Sequence, residues 1–189
     1  ADDLKALCAA FGTTSAAPML HINGHTPGDK LSNIKQMDKF KITRKHLATL
    51  WKDFNTADVN VDLVAIGSPH ASLSECRNFV KFFNGKSCSP KVKTIITMGR
   101  DVLSQVKEEG ILEELKRTGI QVISDICWCS ITEPIFPNNT SVIMTNSGKY
   151  AHYAHGLTGR KTRFGSLEDC AKTAQSGLAK SDLPSWLSN

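Results

Sequence analysis

Nine consecutive residues, Thr145-Asn146-Ser147-Gly148-Lys149-Tyr150-Ala151-His152-Tyr153, gather an amide, two hydroxyls, an ammonium, two phenols and an imidazole. They close the apolar run Ser141 to Thr145, and neither a period of 2 nor one of 3.6 makes core of them. Lys149 is the kind of cation that holds a carboxylate or phosphate, and Asn146 and Ser147 add neutral hydrogen bonds. Thr145, Tyr150 and His152 extend the same surface as substrate-binding candidates. A polar cluster at the end of a buried strand is where ligands sit in open α/β sheets; a solvated turn with two half-buried tyrosines is the competing reading.

Other polar stretches follow apolar runs in the same way. Arg100, in Gly99-Arg100-Asp101, is a second anion holder at a strand end. Ser68 and His70, in Gly67-Ser68-Pro69-His70, can line a site, although neighbours in a tight loop seldom act on each other as nucleophile and base. His70, His152 and His155 each also read as hydrogen-bonded structural groups. No nucleophile elbow, Walker loop or Gly-x-Gly-x-x-Gly stretch is present.

Six cysteines, at 8, 76, 88, 127, 129 and 170, need an explanation in a domain large enough to fold without staples. With no export signal, the expected compartment is reducing and cytoplasmic, so the thiols are core residues, chance surface residues or metal ligands. Cys127-x-Cys129 is not zinc-ribbon spacing and has no matching second pair. Cys76, Cys127 and Cys170 follow strand ends or open helices, and three such thiolates would suit an iron–sulfur centre with an open position. Cys76 near a helix N-terminus is either a dipole-stabilised thiolate or a buried helix residue, and Cys8 reads as a core thiol.

The elements that must position these groups alternate. The spacing predicts a helix from Leu4 to Phe11 ended by Gly12, a short strand at Pro18 to Ile22, and a helix within Phe40 to Phe54 capped by Thr43. Strands follow at Val61 to Gly67, Val92 to Met98, Ile120 to Ser124 and Ser141 to Thr145. Helices follow from Ser72, with Glu75 completing a capping box, from Val102 to Arg117 with a break at Gly110, and from Leu167 to Leu178 with Ser166 as cap. This order predicts an α/β fold, a mostly parallel sheet with helices on both faces and all the polar loops at one edge. Residues 1–180 read as one domain and 181–189 as a linker or tail.

A net charge of +5 without clustered Lys and Arg, and without interleaved aromatics, argues against a nucleic-acid surface. No apolar stretch reaches the length of a membrane span.

Gly67-Ser-Pro-His-Ala-Ser-Leu-Ser-Glu-Cys76, Asp125-Ile-Cys-Trp-Cys129, Met144-Thr-Asn-Ser-Gly-Lys-Tyr-Ala-His-Tyr153 and Phe164-Gly-Ser-Leu-Glu-Asp-Cys170, with His21-Ile-Asn-Gly-His-Thr-Pro27, resemble the catalytic large part of the aconitase X family. That resemblance implies an aconitase-like domain of an iron-dependent hydro-lyase. One branch of the family dehydrates cis-3-hydroxy-L-proline to 1-pyrroline-2-carboxylate, and an archaeal branch dehydrates mevalonate 5-phosphate. Cys76, Cys127 and Cys170 match the thiols that hold an iron–sulfur cluster in the proline branch, expected here as two-iron two-sulfur and absent if the isolated piece has lost it. The resemblance makes Asn146, Ser147 and Lys149 the groups on the carboxylate or hydroxyl of a small hydroxy acid, with Ser68 and His70 lining the site. It also implies a partner, a swivel-type small domain or subunit carrying the catalytic serine, without which this chain is inactive. Ile126 in place of the family's threonine, His155 in place of its proline, and His25 and Gly28 in the opening loop depart from the pattern. Two alternatives stand beside this expectation: a mevalonate 5-phosphate dehydratase, and a non-catalytic α/β ligand-binding module that has lost its metal.

Overall fold

The computed structural model describes residues 1–17, 19–27 and 36–188. Five strands, β1 (Leu63–Ile66), β2 (Lys93–Met98), β3 (Gln121–Ser124), β4 (Val142–Thr145) and β5 (Lys161–Phe164), form one parallel sheet in the order β3-β2-β1-β4-β5. The expected α/β architecture is present.

Both faces of the sheet are apolar, as a parallel sheet covered on both sides requires. Alternate residues Val64, Ile66, Ile96, Met98 and Met144 face a core closed by α3 (Leu73–Phe83), α4 (Arg100–Glu108), α5 (Ile111–Arg117) and α7 (Leu167–Ser176). Leu63, Ala65, Ile95 and Ile143 face a second core closed by α6 (Gly148–Thr158) and the segment around Trp128 and Phe136. Trp128, fully buried, packs its ring 4.4 Å from that of Tyr150 at a 55° tilt and so pins α6 to the sheet.

Local chemistry sets the helix starts. Thr43, Ser72 and Ser166 each cap a helix and complete a capping box with the third helical residue. Gly110 at φ 73° separates α4 from α5, where the sequence placed the break.

Three expectations fail near the N-terminus. Helix α1 (Asp2–Thr14) runs through Gly12, whose missing side chain does not stop a helix already bonded on both sides. None of its residues is buried, and Cys8 is exposed rather than a core thiol. Residues 19–22 form no strand, and Pro18, like Gly28, lies outside the described residues.

Strand β5 had no counterpart in the sequence reading. Lys161-Thr-Arg-Phe164 lacks an apolar alternation because Arg163, 4% exposed, spends its charge on backbone carbonyls of Asn55 (2.7 Å), Ala57 (3.1 Å) and Lys180 (2.6 Å). The strand lies against α2 (Arg44–Phe54), and α2 also meets a 3-10 turn, Ser185–Leu187, whose Leu187 is buried.

Candidate functional site

Strand order reverses between β1 and β4. They are neighbours, yet the chain leaves β1 for the α3 face and β4 for the α6 face. Such a switch point opens a crevice at the C-terminal ends of the strands, where ligands of α/β sheets bind.

The loop after β1 is held at its start by Gly67. At φ +103° a Cβ there would sit 2.2 Å from the Thr97 carbonyl oxygen, so the loop follows the end of β2 as only glycine allows. Thr97 donates its hydroxyl to the Gly67 carbonyl at 2.9 Å, and the Ala71 amide donates to the Thr97 carbonyl at 2.9 Å. His70 Nε2 lies 3.1 Å from the Ile126 carbonyl oxygen and ties this loop to the one after β3.

The loop after β4 turns through Thr145, whose hydroxyl accepts from the Ser147 amide at 3.1 Å. Ser147 is the N-cap of α6, accepting from the Tyr150 amide at 3.1 Å. Its hydroxyl donates to the Ser68 carbonyl, so one side chain starts the helix and bridges the crevice. Asn146 and Lys149 stand half-buried beside it. They share a cleft of about 20 Å³ with Ser68, Pro69, Gly148, Lys5 and Glu75.

The sequence offered no role for Lys5 and gave Glu75 only its place in a capping box. Lys5 Nζ donates to the His70 carbonyl at 2.8 Å and pairs with Glu75, and Ser74 donates to Asp2 at 2.5 Å. These polar ties seat α1 across the cleft, which has room for about one water. An amphipathic pattern cannot reveal a helix anchored by a single lysine. A wider hollow of about 480 Å³ lies at the opposite, N-terminal edge of the sheet, beside Asp62, Lys91, Lys93 and Asn138. It lacks the polar cluster, and its Asp62 carboxylate is occupied by the amides of Ser141 (2.8 Å) and Val142 (2.9 Å).

The remaining expected residues separate. Arg100 keeps its guanidinium on Asp125 at 2.9 Å, and the same carboxylate caps the Arg100 amide at 2.9 Å, so this cation is already neutralised. Tyr150 is 1% exposed and packs as core, with burial raising its hydroxyl above the usual phenol range. His152 is exposed farther along α6, beside Tyr153, Gly156 and Leu157. Thr145 is fully buried and acts through the turn it holds.

The three expected thiolates do not converge. Cys76 and Cys170 occupy equivalent positions, each following a capping box in the first turn of its helix, and both are 0% exposed in the α3–α7 core. Burial, with Glu75 second, pushes the Cys76 thiol up to about 12, and burial raises Cys170 as well. The dipole of α3 does not overcome this, so Cys76 is the buried helix residue and not a stabilised thiolate. Cys127 packs against the opposite core, its Sγ 3.9 Å from Ser68 Oγ and 2.8 Å from Cys129 Sγ. Burial raises Cys127; at Cys129 burial pulls the same way, but bonds from Cys127, Tyr153 and Ser68 outweigh it and lower the thiol. Among the described residues no three His, Cys, Asp or Glu side chains group closely enough to hold a metal. As placed, the donor set does not fit a three-thiol iron–sulfur cluster, and no chemical step below is routed through one.

Comparison with known proteins places the chain. Residues 61–176 match the family model described as aconitase X third domain, and residues 1–52 match aconitase X second domain. This chain belongs to the aconitase X family. Relatives in that family include the cis-3-hydroxy-L-proline dehydratase of Hypocrea jecorina, 40% identical over 100% of this chain and 33% of that protein. The dehydratase of the same name from Pseudomonas aeruginosa is 38% identical over 99% of this chain and 33% of its own length. The phosphomevalonate dehydratase large subunit of Methanosarcina mazei is 28% identical over 93% of this chain and 42% of that subunit. The crystal structure of Thermococcus kodakaraensis aconitase X in its holo-form matches with a TM-score of 0.80 at 28% identity, covering 92% of this chain and 44% of that one. The chain thus spans about a third of the length of the proline dehydratases it matches. Among the described residues no helix is long and apolar enough to cross a membrane.

Proposed function

We propose that this aconitase X chain is the portion of a hydro-lyase that binds and orients cis-3-hydroxy-L-proline at the β1/β4 switch point. The observation that carries the reading is the bridged crevice itself: Ser147 fixed on the Ser68 carbonyl, with Asn146 and Lys149 half-buried beside it.

Dehydration removes the proton alpha to the carboxylate and expels the neighbouring hydroxyl as water. The enamine so formed tautomerises to the imine 1-pyrroline-2-carboxylate. Negative charge builds towards the carboxylate as the proton leaves, so a fixed cation and oriented amides there stabilise the transition state more than the ground state. Lys149 supplies the cation, and the backbone amides opening α6 add their dipoles. Asn146 and the Ser68 hydroxyl serve the substrate hydroxyl. Helix α1, tied by Lys5 across a cleft with room for about one water, must move aside to admit the substrate and excludes water when it closes again.

One carboxylate needs one cation, and the charge balance favours the amino acid over a phosphorylated substrate. Arg100 is engaged by Asp125 and Lys5 by Glu75, whereas Lys149 has no acidic partner among the described residues. The base belongs, by family resemblance, to a serine of a separate swivel-type domain or subunit, and the setting is the cytoplasm, where free thiols persist. The test is turnover: intact protein should convert cis-3-hydroxy-L-proline to 1-pyrroline-2-carboxylate, and conversion of phosphomevalonate alone would reject the substrate.

A further inference from the structure

We propose that Glu75 determines which anions the crevice accepts: it masks a second cation, Lys5, and so turns away small dianions such as phosphate and phosphate monoesters. The proposal rests on the reading of this crevice as the hydroxy-acid site and adds the residue that sets its selectivity. Lys5, Glu75, Asn146, Ser147 and Lys149 line one cleft of about 20 Å³. Lys5 Nζ is ion-paired with Glu75, whereas Lys149 has no acidic partner among the described residues. The cleft thus holds two ammonium groups and offers one.

A mask works only if a ligand cannot displace it. Glu75 Oε2 accepts from both the Lys5 ammonium and the Ser72 amide, the latter at 2.9 Å, while Ser72 Oγ accepts from the Glu75 amide at 3.1 Å. The carboxylate is therefore part of the capping box that begins α3 and cannot swing out without undoing the start of that helix. Lys5 is held from a second side by the His70 carbonyl at 2.8 Å. Asp2, 3.8 Å from Lys5, stands outside the cleft and accepts from the Ser74 hydroxyl. The side chains of Glu75 and Lys5 are only 18% and 30% exposed, so solvent screens the pair incompletely.

Ligand charge then decides what binds. An amino acid brings one carboxylate and its own ring ammonium, so it needs one cation and is not repelled as a whole by a nearby acid. A phosphate group brings about two negative charges. Lys149 balances one of them, and Glu75 repels the ligand while holding Lys5 back. One charge altered within a few ångströms, in a partly screened cleft, changes the affinity of an anion by about tenfold.

The test is the binding of inorganic phosphate to intact protein, measured by equilibrium dialysis of the radiolabelled anion at pH 8 and fixed low ionic strength. Glu75→Gln keeps an oxygen for the Ser72 amide and removes only the charge. It should bind phosphate at least about tenfold more tightly than wild type, and Lys5→Gln on that background should abolish the gain. Lys5→Gln alone bares the Glu75 carboxylate and should bind phosphate more weakly than wild type, which decides the matter if Glu75→Gln does not fold. Equal affinities of wild type and folded Glu75→Gln, a gain that survives in the double variant, or binding by Lys5→Gln as tight as wild type would each overturn the proposal. Phosphate binding needs no turnover, so these outcomes are separate from a failure to convert cis-3-hydroxy-L-proline, which would reject the hydroxy-acid reading itself.

Discussion

Ser147 donates its hydroxyl to the carbonyl of Ser68 across the point where the sheet changes direction. The bond joins a loop set by Gly67 to a helix that begins at Ser147 itself, so the width of the crevice is fixed by one side chain. Lys149, two residues on, is consequently presented by a helix that has no freedom at its start.

This relationship separates two roles that lie close together. Ser147→Ala removes the cap of α6 and leaves a buried carbonyl without its donor, a loss of about 2 kcal/mol. Lys149→Gln should change stability by less than about 0.5 kcal/mol, because the ammonium has no acidic partner among the described residues. Urea denaturation of the two variants checks the order. Equal losses would mean that Lys149 is structural.

Gly67 and Gly148 lie on facing sides of the crevice and should respond oppositely to alanine. At Gly67 the new methyl would meet the Thr97 carbonyl at 2.2 Å with φ at +103°, so the loop must move and the expected cost is above about 3 kcal/mol. At Gly148 the nearest atom is Phe164 at 3.9 Å, an ordinary contact, and the substitution falls in a helix. Thermal melting should show a large loss for the first and none for the second.

Sequence spacing was most informative where backbone chemistry is local. The caps Thr43, Ser72 and Ser166, the break at Gly110 and the polar cluster after Thr145 are read from short patterns, and each lies where expected. Long-range pairing is invisible to such patterns. Arg163 is a buried tie for backbone carbonyls 106 and 108 residues away, which disguises β5, and Lys5 reaches an acceptor 65 residues away. Arg100 looked free because Asp125, which neutralises it, lies 25 residues on, and Tyr150 looked like a ligand because Trp128, which covers it, lies 22 residues before it.

Placement of Cys76 and Cys170 in the α3–α7 core predicts that they serve packing. Cys76→Ser and Cys170→Ser should each cost about 1–3 kcal/mol by burying a hydroxyl among apolar groups. Iron and sulfide analysis after anaerobic reconstitution provides the contrast. A protein whose bound iron is abolished by serine at 76, 127 and 170 alike, without loss of fold, would show that these thiols leave the core to bind metal.

Alkaline pH should also find Cys76. Its thiol is raised by burial from 9.0 to about 12, so between these values the unfolded chain has lost a proton that the folded chain still holds. Stability contributed by this group is complete below about pH 9 and falls as pH rises towards 12, by up to about 1.4 kcal/mol per pH unit. Cys76→Ala should flatten that decline. Parallel denaturation curves of variant and wild type at pH 8 and above would contradict it.

The central claim is that the crevice between Ser68 and Ser147 holds a small hydroxy acid through the charge of Lys149. Steady-state turnover of cis-3-hydroxy-L-proline by the intact protein, wild type against Lys149→Gln, tests it most directly. The account predicts conversion by the wild type and at least about a tenfold fall in kcat/KM for the folded variant. No conversion by the wild type, or an unchanged kcat/KM in the variant, would contradict it.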